Sequence, residues 1–399
     1  MNTLPIWKAA DLDDPDARAA AIAFSADVMT QSGAPHLRHD LEWALADQRD
    51  DRVTALCLED EDAQGFGLLT RQERPLSFQL GELTYYRHPL TRYHLWSGPV
   101  ITGAAPGSER WAALALGFLT AAGDRLGQSG AVLGIEGLST ECAFHRLLAD
   151  NPKVTGNFLV MQQGEAYAHQ RIDMPETLED YLSGLGSRSK KSLRYSRRRL
   201  FRDFADDVSL KRCSADEDIP NFLDQAIAIS KTTYQWHLLG LGLRRGDVLE
   251  ERMRFAAKRG WLRCYLLECA GKPAAFMLAY QYQGRFYYTD VGYDPEFARW
   301  SVGSVLQLLV MEELYEQPDR PEQFDFATGY GEHKARFGNA SSEEANWLLL
   351  PRSLRNTVLL GAYKRLDGLA NLATSTADRI GVKQTLKRTM RRLSTGRAA

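Results

Sequence analysis

A short segment of small and basic residues stands where a helix is predicted to begin. Residues 302–315 repeat apolar side chains at helical spacing, and two serines and a glycine stand at their start. Unpaired N–H groups at a helix start, with the positive end of the helix dipole, favour an anion such as a pyrophosphate. The alternative is an ordinary helix start in which the Ser301 hydroxyl caps the first turn. The candidate binding residues are Arg299, Ser301, Val302, Gly303 and Ser304.

A second candidate site lies in residues 329–338, Gly-Tyr-Gly-Glu-His-Lys-Ala-Arg-Phe-Gly, directly after a short apolar strand. Its glycines permit a tight loop. The cations of Lys334 and Arg336 suit a phosphate or a developing oxyanion. The alternative interpretation is a solvated basic turn.

A third candidate is the aromatic and polar cluster at residues 233–242, Thr-Tyr-Gln-Trp-His-Leu-Leu-Gly-Leu-Gly. Aromatic walls with polar tips suit a pocket for a small acceptor molecule. We predict that Tyr234, Trp236 and His237 bind substrate, since His237 can also accept a proton near neutral pH. The alternative is a core cluster whose polar tips are hydrogen-bonded internally.

Positive charge is concentrated in two places. Residues 188–202 contain eight Lys or Arg, with Leu193, Tyr195, Leu200 and Phe201 as the predicted inward positions. Residues 352–399 carry a net charge of +9, which leaves −11 for the remainder of the chain. Such runs favour an anionic ligand or an acidic neighbouring surface, although charge runs are usually solvated faces.

The elements that position these residues follow from periodicity and turn residues. Three strands are predicted in succession, at Trp261–Cys269, Ala274–Tyr282 and Arg285–Val291, separated by Ala-Gly and Gln-Gly turns. A helix at Val302–Tyr315 and a strand at Gln323–Phe326 follow. The second half is therefore an antiparallel meander followed by a helix and a strand, and the first half is mixed α/β.

This order, with its motifs, resembles a known family. Gly-Tyr-Asp-Pro at 292–295, the segment 299–304, Phe-Asp-Phe at 324–326 and the glycine-rich segment 329–338 look like the GNAT-fold acetyltransferase domain of CelD-type cellulose-biosynthesis proteins. More distantly they are similar to the FemABX peptidoglycan aminoacyltransferases, whose chains hold two GNAT-like domains. Three positions depart from the family patterns, namely Val302, Ser304 and His333.

The resemblance implies an α/β (α+β) fold of tandem GNAT-like acyltransferase domains, each a mixed, largely antiparallel sheet flanked by helices. We expect an N-terminal GNAT-like domain at 1–165, a C-terminal acyltransferase domain at 166–350 and a basic amphipathic helical tail at 351–399. It further implies an N-acyltransferase that moves an acyl group, acetyl in the simplest case, from acyl-CoA to an amine. The acceptor is expected to be a small molecule or a cell-envelope or polysaccharide precursor.

Catalytic roles are assigned to three residues on this interpretation. An acceptor amine must be neutral to attack a thioester, so a general base is useful, and Asp290 near the end of its strand is the best placed. Tyr330 is predicted to protonate the departing thiolate, and Lys334 to stabilise charge. No metal is expected, because the five cysteines are scattered without metal-ligand spacing.

Two other classes of function stay open. One is an aminoacyl-tRNA-dependent transferase of the FemABX kind, and the other is a non-catalytic binding protein with a degenerate GNAT fold. The apolar stretch at Trp111–Gly123 is too short to span a bilayer and the N-terminus lacks a signal peptide, so we expect a cytoplasmic protein. Contact with tRNA or an anionic inner-membrane surface is predicted through the basic segments 188–202 and 383–397.

Overall fold

The computed structural model describes residues 6–46, 52–80, 83–233, 236, 242–328 and 331–379. This part of the chain has a mixed α/β fold, with sheets flanked by helices. Its strands, in chain order, are β1 (Lys8–Ala9), β2 (Val53–Asp60), β3 (Ala63–Glu73), β4 (Leu76–Leu80), β5 (Leu83–His88), β6 (Thr91–Trp96), β7 (Val100–Thr102), β8 (Val132–Ser139), β9 (Phe158–Asp173), β10 (Val208–Cys213), β11 (Leu262–Cys269), β12 (Lys272–Tyr282), β13 (Arg285–Tyr293), β14 (Gln323–Asp325) and β15 (Ala340–Pro351).

The helices of the described residues are also given in chain order. They are α1 (Pro15–Gln31), α2 (Leu41–Leu45), α3 (Glu109–Ser129), α4 (Ala143–Asp150), α5 (Pro152–Asn157), α6 (Leu178–Gly184), α7 (Ser187–Phe204), α8 (Ile219–Thr232), α9 (Asp247–Lys258), α10 (Val302–Glu316), α11 (Glu332–Phe337) and α12 (Leu354–Arg379). No helix among the described residues is long and apolar enough to cross a membrane.

The chain forms two compact units, each discontinuous in sequence. The first takes residues from 1–33, 50–165 and 345–399, and the second from 34–49 and 166–344. The predicted division at 165/166 and 350/351 used continuous segments instead. The physical reason for the difference at 34–49 lies in contacts with distant strands.

Residues 34–49 are held in the second unit by two tyrosines of the meander. The backbone N–H of Leu37 donates to Tyr287 Oη over 3.1 Å, and the Tyr282 hydroxyl donates to Asp40 Oδ2 over 2.9 Å. Since both partners lie more than 240 positions away in sequence, no local pattern indicates this assignment.

The sheet of the second unit has the order β9-β14-β13-β12-β11-β10. Strands β13 and β14 run parallel, and the other neighbouring strands run antiparallel. The turns Ala270-Gly271 and Gln283-Gly284 have positive φ at both residues, as two-residue hairpins require. The predicted meander of three strands is therefore confirmed.

Helices cover both faces of this sheet. On one face α6, α7 and α10 pack against it, with Leu193 and Val305 buried, and on the other α8 and α9 do so, with Phe222 and Met253 buried. Residues alternate between the two cores along β11 and β12, as the pleat of a strand dictates. Near-continuous apolar runs in these strands follow from burial on both sides.

Strands β13 and β14 separate soon after they pair. Their parallel pairing covers three residue pairs and ends where Tyr287 lies opposite Asp325, while β13 continues to Tyr293. The register of β13 also shifts at Thr289, whose hydroxyl donates to the carbonyl of Leu278 over 2.7 Å. A bulge of this kind bends and twists a strand. Among the described strands, residues 288–293 therefore have one edge without a partner.

The first unit has a related parallel pair that stays closed. Its sheet has the order β1-β2-β3-β6-β8, with β7 beside β3. Strands β6 and β8 pair through Trp96 opposite Glu136, and the N–H of Ser97 then donates to the Glu136 carbonyl over 2.8 Å. The Trp96 ring packs over Gly137, where an added Cβ would lie 2.6 Å from it. No gap comparable to that between β13 and β14 opens at this described pair.

Two expectations about helix faces are wrong in part. On α7 the buried residues are Leu193, Ser196 and Leu200, at one-turn and two-turn spacing, whereas Tyr195 and Phe201 are exposed. On the tail helix α12 the sequence predicts one apolar stripe through Leu354, Val358, Tyr363, Leu366 and Leu369. Tyr363 packs near Phe78 together with Leu360, whereas Leu354 and Val358 are exposed. Residues 380–399, including the basic segment 383–397, lie outside the described residues.

Candidate functional site

The unpartnered edge of β13 forms one side of a cavity of about 470 Å³. This volume lies in the range of pockets for small molecules. The start of α10 forms another side. The lining residues are Thr233, Phe276, Met277, Tyr288, Val291, Gly292, Tyr293, Pro295, Ala298, Ser301, Val302, Gly303, Ser304, Leu306, Gln307, His333 and Phe337.

The start of α10 is open to the cavity. Ser301 precedes the helix in a left-handed conformation, with φ 55° and ψ 43°, and its side chain makes no capping hydrogen bond. The alternative of an ordinary serine cap is therefore not what the structure has. The N–H of Ser304 donates to the Ser301 carbonyl over 2.9 Å, so among the described residues the N–H groups of Val302 and Gly303 are the first-turn donors left for an anion in the cavity.

The first three residues of α10, Val302, Gly303 and Ser304, differ in their surroundings. Val302 is fully buried in the core under α10 and also borders the cavity. A valine therefore stands in the core at the position where the family pattern has a glycine. A Cβ added at Gly303 would lie 3.5 Å from Tyr293 Cδ1, an ordinary contact. The three residues predicted to bind an anion together with Ser301 thus lie at one place.

Arg299 is placed differently from the other members of this predicted set. Its guanidinium stacks on the Trp300 ring at 3.7 Å, and its carbonyl accepts a hydrogen bond from Arg199 over 3.1 Å. Arg299 does not line the cavity as described. A direct contact of its side chain with a ligand stays a prediction.

Asp290 follows the bulge on β13 and is half-buried. It lies opposite Leu278, whose side chain belongs to the core under α8, so Asp290 faces that side of the sheet. Burial raises the pKa of the Asp290 carboxyl above its ordinary value. A raised pKa improves a carboxylate as a general base, and Thr233 at the end of α8 lines the cavity from the same side.

Helix α11 carries the predicted basic residues. His333 is exposed at the wall of the cavity, where partial desolvation of its ring, followed by the nearby Lys334 charge, lowers its pKa. Lys334 Nζ donates to the carbonyls of Ala327 and Thr328, over 3.3 and 2.9 Å. Burial lowers the pKa of Lys334, and the Asp325 charge opposes that shift. Lys334 thereby holds the loop that leaves β14.

The other predicted residues are distributed more widely. Arg336 donates to Ser189 Oγ over 3.2 Å, which places it beside the basic helix α7. The Trp236 ring stacks with the Arg244 guanidinium at 4.5 Å. Tyr234, His237 and Tyr330 lie outside the described residues, so their predicted roles are untested.

Most of the cations of α7 have acidic partners. Glu179 pairs with Lys190 and Arg194 over 3.0 and 2.9 Å. Arg197 pairs with Glu312 over 3.2 Å. An acidic neighbouring surface, one of the two predicted explanations for the charge run, is thus present for these residues.

A buried ionic cluster fixes the end of β14. His169 on β9 lies between two carboxylates, with Nε2 2.7 Å from Asp325 Oδ1 and Nδ1 2.6 Å from Glu344 Oε1. All three residues are buried. Burial alone lowers the pKa of His169, but hydrogen bonds and charge from both carboxylates outweigh it and raise the pKa to about 9. The imidazolium therefore bridges β9, β14 and the start of β15 at the point where β13 and β14 separate.

The pKa of Asp325 agrees with an ionised carboxylate beside a protonated His169. Burial raises the pKa of Asp325, but its hydrogen bond and charge interaction with His169 outweigh burial and lower the pKa. Asp325 also accepts from the N–H of Ala327 over 2.7 Å. No group of His, Cys, Asp and Glu in the described part is arranged to hold a metal ion.

Sequence reasoning missed several residues of the cavity. Tyr288 and Gln307 are polar, buried and part of its lining. Gln307 lies three and four positions after Ser304 and Gly303, so it shares their helix face. That spacing was the available signal for Gln307.

Comparisons with known proteins agree with this architecture. Residues 187–335 match the family model described as Acetyltransferase (GNAT) domain. A search of curated proteins finds no matching sequence. Among solved structures, FemX is 12% identical with a TM-score of 0.57, over 85% of this chain and 98% of that chain. Residues 187–335 therefore carry a GNAT-type domain.

Two further solved structures are also similar to this chain. A conserved protein of unknown function from Bacteroides thetaiotaomicron VPI-5482 is 15% identical with a TM-score of 0.50, over 88% of this chain and all of that chain. A tandem GNAT protein from the clavulanic acid biosynthesis pathway is 11% identical with a TM-score of 0.44, over 87% and 98%. At these identities the likeness concerns the fold alone. The narrower resemblance to CelD-type proteins stays a prediction.

Proposed function

We propose that the second unit is an N-acyltransferase that moves an acyl group from acyl-CoA to an amine of a small molecule or of a cell-envelope or polysaccharide precursor. The observation that carries the proposal is the cavity between the free edge of β13 and the open start of α10. A strand edge offers N–H and C=O groups to the amides of a pantetheine arm, as it does to an added strand. The helix start offers N–H groups to the pyrophosphate.

The chemistry requires one bond to form and one to break. The neutral amine attacks the thioester carbonyl, the new C–N bond forms, and the C–S bond breaks to release the coenzyme as a thiolate that then takes up a proton. Asp290, which burial makes more basic, is proposed to accept the proton of the amine. Backbone N–H groups at the separated strands are proposed to hold the carbonyl oxygen as it gains charge.

The proposal is tested by calorimetry with coenzyme A, acetyl-CoA and longer acyl-CoAs. We expect saturable binding of at least one thioester. Binding of none of them, together with a salt-sensitive affinity for aminoacyl-tRNA, would replace the donor in this proposal by an aminoacyl-tRNA. An inability to bind either donor would favour a non-catalytic binding protein.

Lys334→Ala is expected to lower turnover by at least about tenfold, or roughly 1.4 kcal/mol of transition-state stabilisation. The reason is the loss of the ammonium that holds the carbonyls of Ala327 and Thr328 beside the cavity. Steady-state kinetics measure the change. Lys272→Ala, at an exposed position on β12, is the matched control and should behave as wild type. Equal rates for the two variants would remove Lys334 from the site.

A further inference from the structure

In the part of the chain that the structure describes, two buried residues line the cavity with polar side chains that make no hydrogen bond. Gln307 on α10 is 5% exposed and Tyr288 on β13 is 7% exposed, and both line the cavity. Among the described residues neither the Gln307 amide nor the Tyr288 hydroxyl has a hydrogen-bond partner within reach. The amide and the hydroxyl are therefore available to a molecule that enters the cavity, and polar groups in such surroundings are usually hydrogen-bonded.

Apolar residues and the His333 ring surround these two groups, with the His333 and Tyr288 ring centres 6.3 Å apart. Met277, Leu306 and Phe337 line the same cavity and are buried. The Tyr288 ring also packs edge-on against Phe326 at 5.5 Å, which fixes the ring while its hydroxyl is left without a partner. A pocket with apolar walls and a few placed polar groups selects the orientation and the chemistry of what enters it.

The helix geometry sets Gln307 apart from the predicted phosphate site. Gln307 lies one turn beyond Gly303 and Ser304, further from the open helix start, on the same face of α10. Tyr288 stands just before the bulge on β13, where the strands separate. A thioester whose pyrophosphate lies at the helix start, and whose pantetheine arm follows the free edge of β13 from Tyr293 back to Tyr288, would bring its acyl end toward Tyr288, with Gln307 in the lining of the same cavity.

We propose that Gln307 and Tyr288 select a donor whose acyl group carries a neutral hydrogen-bonding substituent such as a hydroxyl. This inference rests on the proposed acyl-CoA function. An amide and a phenol each donate and accept hydrogen bonds, and neither carries charge. Both groups can donate a hydrogen bond to a hydroxyl or accept one from it. Neither residue carries the positive charge that would balance a carboxylate on the acyl group. A plain alkyl chain leaves both polar groups unpaired, which is unfavourable.

The test compares butyryl-CoA with 3-hydroxybutyryl-CoA, which differ by one hydroxyl, with malonyl-CoA as the charged comparator and coenzyme A as the reference. Calorimetry on the full chain should show 3-hydroxybutyryl-CoA binding at least about tenfold more tightly than butyryl-CoA. Malonyl-CoA should gain no such advantage. Gln307→Leu and Tyr288→Phe should each reduce the hydroxyl preference while leaving the affinity for coenzyme A unchanged.

The outcomes separate this inference from the function on which it rests. Equal affinity of the wild type for the two butyryl thioesters would overturn the inference and leave the acyl-CoA function standing. An equal loss of affinity for coenzyme A and all thioesters in Gln307→Leu would assign the amide to the pantetheine arm instead, which also overturns it. Binding of no thioester at all would overturn both. Tyr288→Phe removes one oxygen atom only, so it provides a folded variant if Gln307→Leu proves unstable.

Discussion

His169→Ala is expected to lower the free energy of unfolding by about 3–5 kcal/mol, the usual loss when one partner of a buried ion pair is removed. The substitution leaves the carboxylates of Asp325 and Glu344 buried without the imidazolium that lies 2.7 and 2.6 Å from them. Chemical denaturation at neutral pH measures the change. The exposed His333→Ala is the matched control and should unfold near the wild-type midpoint.

The cause of that loss can be separated from the loss of packing. In the triple variant His169→Ala, Asp325→Asn, Glu344→Gln the two buried charges are gone, so part of the lost stability should return. If the triple variant is no more stable than the single one, uncompensated charge is not the reason for the loss.

The same cluster gives the wild type a defined dependence on pH. The folded-state pKa of His169 is raised to about 9 from an ordinary value of about 6.5. A raised pKa contributes stability that is fully present below about pH 6.5 and is lost as the pH rises through about 9. The wild type should therefore lose stability over this alkaline window, and His169→Ala should lose less. An identical alkaline decline in both proteins would contradict the bridging imidazolium.

Gly303→Asp is expected to weaken binding of acyl-CoA by about 100-fold, or about 2.7 kcal/mol, because it brings a carboxylate against the pyrophosphate. Folding should be little affected, since an added Cβ at this position meets only Tyr293 Cδ1 at 3.5 Å. Calorimetry and thermal melting, made on the same preparations, measure the two effects.

Two further variants at Gly303 separate the effect of the added charge from the effect of the added side-chain volume. Gly303→Ala adds only the Cβ and should bind nearly as the wild type does. Gly303→Asn has the size of aspartate without its charge, and its loss should be smaller and less sensitive to salt. Unchanged binding in Gly303→Asp would show that the coenzyme is not held at this helix start.

The meander of the second unit and the helix after it were predictable because their signals are local. Alternating and apolar runs, together with the turns that contain Gly271 and Gly284, define the three strands. The start of α10 follows from the small residues before a helical repeat. These features depend on neighbours within a few positions, and the structure places them where the sequence indicates.

The features that the sequence did not indicate depend on distant partners. His169, Asp325 and Glu344 belong to three separate strands, so no spacing reveals that they meet. Strand β9 runs as one element through Phe158–Asp173, although its polar middle suggests two strands, since pairing with neighbouring strands supports a polar stretch that lacks an apolar pattern. Gln307 was overlooked because a glutamine between apolar residues reads as a solvated position.

The closed pair of β6 and β8 has a consequence for stoichiometry. The second unit opens its parallel strands beyond Tyr287, whereas the first unit continues the pairing through Trp96 and places that indole over Gly137. The helix that follows also differs, because the Ser108 hydroxyl there accepts from the N–H of Trp111 over 3.2 Å and occupies part of the helix start. On the proposed function, the described residues therefore form a donor site within the second unit and none within the first. A titration with a thioester should saturate at one molecule per chain.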